Sequence, residues 1–185
     1  MQHYRPVGDA TVPQATRLSA ERMRCRVRED LRLGRLKIAW FAARERRLSD
    51  EEWADPIVCL LNTHRGSEGD LRGLACPEAC VVWCRSDLTS YGVAETVAYE
   101  ARHLWQLTQK VWAPPIAGDD PVAFCSAWDE WYRTREIDAE AYRRRLAPVA
   151  QKIAQRWALP SSALGHAPAP REAPPLGSHR RLLFS

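Results

Sequence analysis

The sequence predicts an α+β domain: a small mixed sheet packed against three main helices. Short apolar runs near 35–41, 57–61 and 80–84 read as strands. Long stretches with apolar residues at helical spacing, above all 92–112 and 123–146, read as helices. Size agrees, since 185 residues with 45% hydrophobic and 27% charged side chains suit one domain. That balance excludes a disordered or collagen-like chain. No stretch approaches the ~18 apolar residues of a membrane-spanning helix, so a membrane partner is not expected.

Residues 1–17 contain Pro6, Gly8 and Pro13 with little apolar pattern, and a flexible arm is expected there. Ser19 offers an N-cap, and Met23, Val27 and Leu31 then recur at i, i+4 and i+8, giving an amphipathic helix closed by Gly34. Leu36, Ile38 and Trp40 alternate in the first strand. Pro56-Ile57-Val58-Cys59-Leu60-Leu61 reads as a second, more buried strand, and the glycine-bearing stretch 64–73 as a turn. Cys80-Val81-Val82-Trp83-Cys84 is the third strand. Ser86 to Ser90 supply capping side chains for the long helix, with Val93, Val97, Leu104, Leu107 and Val111 as its buried stripe. Pro114-Pro115 stops that helix. A further helix runs from near Ala123 to Leu146, where Pro148 breaks or kinks it, and a short last helix ends near Trp157. The domain therefore spans 18–158. The segment 159–185 reads as a disordered tail, with five prolines in its last 26 residues.

Charge and cysteine content narrow the function classes. The net charge is +4, from 27 basic and 23 acidic residues, with the basic ones spread along the chain, so a nucleic-acid partner is not expected. The stretch before Pro13 lacks the apolar core of a secretory signal, which points to the cytoplasm and to reduced thiols among the six cysteines. Cys76, Cys80 and Cys84 are spaced by four, not by the three of a C-x2-C zinc pair, and are expected to be buried, free thiols. Trp105, Trp112, Trp128 and Trp131 have the spacing of helix–helix packing.

Chemistry concentrates in Glu95-Thr96-Val97-Ala98-Tyr99-Glu100-Ala101-Arg102-His103-Leu104-Trp105-Gln106. A zinc-hydrolase helix presents two imidazoles at i and i+4 on one face, with a carboxylate after the first to deprotonate a metal-bound water. Glu100 and His103 occupy the positions of that carboxylate and of the second imidazole, and Tyr99 stands where the first histidine belongs. Taken singly, each residue has an ordinary structural reading: a half-buried aromatic, a hydrogen-bonded histidine, solvated helix carboxylates. Only the joint pattern carries information.

That pattern resembles the active-site helix of small gluzincin-type metallopeptidases of bacteria and phages, including the ImmA/IrrE-like group. There a sequence close to T-x-A-H-E-x-x-H-x-W-Q is typical, and Thr96, Ala98, Glu100, His103, Trp105 and Gln106 keep it. The family's third ligand is a glutamate on a later helix. Glu136, followed by Asp138 and Ala141, matches it, with Glu140 as the candidate under a one-turn shift. The resemblance spans about 18–146 and implies a zincin-like fold for the domain. It implies Glu100 as general base, His103 and Glu136 as zinc ligands, and Val81, Val82 and Trp83 as the substrate-binding edge strand. It also implies a protein or peptide substrate, in a phage or mobile-element setting.

Tyr99 departs from the family. A phenol with a pKa near ~10 is a poor zinc ligand at neutral pH. Even lost second-shell partners weaken a metal site by ~10–100-fold. Three outcomes follow: the fold persists without metal or catalysis, Tyr99 binds as phenolate, or His64 or Cys84 substitutes. The resemblance thus implies a metallopeptidase-like domain with weakened or lost hydrolysis, or a non-catalytic peptide-binding module of the same fold.

Overall fold

The computed structural model describes residues 3–63, 71–116 and 120–158. His64 and the tail 159–185 lie outside them, as does most of the expected 64–73 turn. The chain is α+β. Four strands, β1 (His3–Val7), β2 (Lys37–Arg44), β3 (Gly73–Cys76) and β4 (Val81–Arg85), form one sheet in the order β1-β2-β4-β3. It is mixed: β2 and β4 run parallel, while β1 and β3 pair antiparallel to their neighbours.

The helices are α1 (Gln14–Asp30), α2 (Asp50–Trp53), α3 (Pro56–Thr63), α4 (Ser90–Thr108) and α5 (Pro121–Ala158). Both sheet faces are covered, and the strand period of two shows how. Trp40, Val82 and Cys84 enter the main core with Met23, Val27, Val93 and Val97 from α1 and α4. Phe41 and Trp83, one residue out of phase, turn to the other face and pack with Tyr4 and Leu61. The most enclosed element is α4, buried continuously from Gly92 to Ala98. The Thr89 side chain caps it by accepting from the Gly92 N–H at 3.0 Å. Outside this layer, α5 packs on α4 and α1.

Four expectations are corrected. The arm is not loose. Residues 3–7 pair with β2, and Tyr4 is locked by Asn62, which accepts from its N–H at 2.9 Å and donates to its carbonyl at 2.8 Å. Residues 57–61 are helical, because Asp55 accepts from the N–H groups of Ile57 and Val58 at 2.8 and 3.3 Å and Pro56 suits the first helical position. The long helix stops at Thr108, so Leu107 and Val111 are exposed instead of closing the buried stripe. Finally, α5 runs unbroken through Pro148. Buried Leu146, Ala150 and Ile153 on both sides of the proline hold it, and packing outweighs the missing hydrogen bond.

Candidate functional site

β3 and the two long helices enclose a cleft of about 610 Å³. From α4 come Tyr99, Glu100 and His103, and from α5 come Trp128, Trp131, Tyr132, Arg135 and Glu136. One turn of α4 separates Tyr99 from His103, so both project from the same face, and their rings meet edge to face at 4.8 Å. Glu136 reaches across from α5. Its carboxylate accepts the Tyr99 hydroxyl through one oxygen and stands 3.5 Å from His103 Nε2 through the other. Phenol, imidazole and carboxylate thus converge from segments 37 positions apart. Glu140 does not face the cleft; it pairs with Arg143 and Arg144, each at 2.7 Å.

Behind His103 a network fixes its tautomer. Gln106 Nε2 donates to the Arg135 carbonyl at 3.0 Å and to Asp138 Oδ2 at 2.7 Å, which leaves Gln106 Oε1 as an acceptor. His103 Nδ1, 2.9 Å from that oxygen, must carry the proton. Arg102 clamps Asp138 with two bonds of 2.7 and 2.9 Å. The Nε2 lone pair of a neutral His103 therefore points into the cleft. Burial lowers the histidine's pKa, partly countered by the Glu136 charge, so the neutral form prevails at pH 7.

Glu100 lies across from Glu136 and accepts the Ala75 N–H. Burial, and secondly the charge of Glu136, push its carboxyl up to about 8. Tyr99 is held well above the usual phenol range by burial and by its bond to Glu136. It is a neutral donor here. Among the described residues no three His, Cys, Asp or Glu side chains come together to hold a metal ion. With the Tyr99 proton committed to Glu136, the donor set does not fit a three-ligand zinc centre. Cys84 does not complete it, since the thiol is fully buried in the main core and burial raises its pKa.

The strand expected at the sheet edge is not an edge strand. Val81, Val82 and Trp83 lie on β4, which is paired on both sides, so they offer no free edge. The edge strands are β1 and β3, and β3 is the one that borders the cleft. Arg85 N–H donates to the Arg72 carbonyl at 3.0 Å, and the alternation that follows turns the backbone of Gly73 and Ala75 away from β4, toward the cleft. Of the tryptophans expected in helix packing, Trp105 packs against the main core, whereas Trp128 opens to the cleft. Trp131 donates its Nε1 hydrogen to the Trp112 carbonyl at 2.9 Å, and Trp128, 41% exposed, forms an open wall with Tyr132, 54% exposed. Sequence reasoning missed β3 and this aromatic wall. The i, i+3, i+4 spacing of Trp128, Trp131 and Tyr132 was the available signal. Of the cysteines, Cys76 and Cys84 are buried and Cys125 is exposed; all six are free.

No family model matches the chain, and no curated protein or solved structure is detectably similar to it. No helix among the described residues is long and apolar enough to cross a membrane.

Proposed function

We propose that this chain is a metallopeptidase-like domain of gluzincin type, acting in the cytoplasm, in which zinc-dependent hydrolysis is weakened or lost and the cleft binds a protein or peptide. The meeting of Tyr99, His103 and Glu136, with Glu100 beside a free strand edge, carries the reading. A partner segment would add to β3 in extended form, its backbone pairing with the outward groups of Gly73 and with the Ala75 carbonyl, since Glu100 takes the Ala75 N–H, and its side chains reaching the aromatic wall of α5. The neutral hydroxyl of Tyr99 favours the non-catalytic form. It fills the first ligand position and ties up a carboxylate oxygen that a metal needs.

Metal content tests this. Purified wild-type protein should carry zinc well below one ion per chain, and Tyr99→His, which restores the second imidazole at i−4 from His103, should raise it close to one. A correctly folded Tyr99→His protein that takes up no zinc would rule the ligand geometry out.

A further inference from the structure

We propose that the β3 edge of the cleft takes a segment of this same chain, Leu182-Leu183-Phe184, added as an extended strand that a partner peptide must displace. The inference rests on the strand-addition reading above and names the occupant of that site when no partner is bound. Its starting point is a difference between the two edge strands. β1 is closed to a further strand: Asn62 engages both the N–H and the carbonyl of Tyr4, at 2.9 and 2.8 Å, and Pro6 has no N–H to offer. β3 leaves the Gly73 N–H and carbonyl and the Ala75 carbonyl turned out toward the cleft. An uncovered edge beside exposed aromatic rings invites pairing with other chains, and one way proteins prevent it is to cover the edge with a segment of their own.

The walls set what the occupant must be. On one side of β3 stand Trp128 and Tyr132 of α5; on the other are Leu60, Leu71 and Leu74, the last two packed with Tyr4 and Phe41. Side chains of an added strand alternate between these two walls. A strand that is apolar on both faces reads as consecutive apolar residues, not alternating ones. Leu182-Leu183-Phe184 lies outside the described residues and is the one run of three large apolar residues there. Added to β3, it sends Leu182 and Phe184 to one wall and Leu183 to the other. Reach permits this within one molecule. α5 ends at Ala158, about 33 Å along the helix from Glu136 at a rise of about 1.5 Å per residue. The stretch 159–181 spans up to about 75 Å when extended. Tethering at that range holds the segment at an effective concentration on the order of millimolar, against which a free peptide must compete.

Hydrogen exchange at the Gly73 N–H, followed by NMR in the full wild-type chain and in the full chain carrying Leu182→Asp, Leu183→Asp and Phe184→Asp together, tests the proposal. The Gly73 N–H should exchange at least about tenfold faster in the variant, and the wild-type rate should not change on dilution. In calorimetric titrations, acetyl-Arg-Arg-Leu-Leu-Phe-Ser-amide should bind the variant at least about tenfold tighter than the wild type, whose own segment competes. Equal Gly73 rates in the two chains, or equal affinity for the peptide, overturn the proposal, and the second result leaves the strand-addition reading standing. Protection that is lost on dilution places the segment of a second copy on β3 and also overturns the proposal. An unrelated extended peptide, acetyl-Thr-Val-Tyr-Val-Thr-amide, separates the two readings where the first peptide does not bind: its binding to the variant overturns the proposal alone, and binding of neither peptide overturns both.

Discussion

Glu100 carries a carboxyl that ionises only at about 8 in the folded chain, first because it is buried and then because Glu136 stands near. In the unfolded chain the same group releases its proton near ~4.3. Between those values the folded state holds a proton that the unfolded state has lost, so rising pH removes stability. The contribution is complete below the unfolded value and gone once pH has passed the folded one. His103, with its pKa lowered, works in the opposite sense near neutrality, so a comparison with Glu100→Gln isolates the carboxyl. The variant should gain on the order of 1–3 kcal/mol over the parent between pH 5 and 9, after discounting for partial exposure. Urea unfolding at each pH reads the difference, and parallel curves would show that Glu100 does not carry the buried proton. At this scale the sequence was informative: Tyr99, His103 and Glu136 were picked out by spacing and resemblance, and they meet in space. The roles of Gln106 in fixing the imidazole and of Arg102 in clamping Asp138 were less legible. They depend on the crossing of α4 and α5, which no local pattern encodes.

Among the elements, β3 matters most and was hardest to see. Four residues, Gly-Leu-Ala-Cys, are too few for an alternation to register, and the strand becomes one only by pairing with β4. Gly73 is there for space. A Cβ on it would sit 2.3 Å from Thr96 Cγ2 and 2.9 Å from Glu100 Cγ. Gly73→Ala should therefore destabilise the protein by about 1–3 kcal/mol and displace Glu100. Thermal unfolding would show the first effect, and loss of the pH difference described for Glu100 the second. A variant as stable as the parent would mean that β3 does not press on α4. The helix α3 teaches a related lesson. Its apolar run of five residues fits a buried strand or a short helix equally well, and the Asp55-Pro56 start signal decided the matter. In α5, by contrast, the local rule for Pro148 was sound and tertiary packing overrode it.

For the molecule as a whole, the fold class follows from the alternation of short apolar runs with long amphipathic ones, but the number and order of strands do not. β1 was hidden by Pro6, a residue tolerated on this strand because it lies at a sheet edge. Removing residues 1–8 should cost at least about 3–5 kcal/mol, because Tyr4 leaves the core it shares with Phe41 and Leu61 and β2 loses its neighbour. Calorimetry of the truncated protein would show the shift, and an unchanged melting temperature would mean that the strand is dispensable. The larger architecture, a sheet covered by α1 and α4 with α5 laid across them, brings two distant helical segments to one cleft and sets its free strand edge alongside. A crystal of the Tyr99→His protein grown with zinc, with data collected at the zinc absorption edge, tests this convergence most directly. The account predicts a single anomalous peak within about 2.0–2.2 Å of His103 Nε2, a Glu136 oxygen and the new imidazole. A well-ordered map with no peak there, or with zinc bound only at the surface, would contradict it.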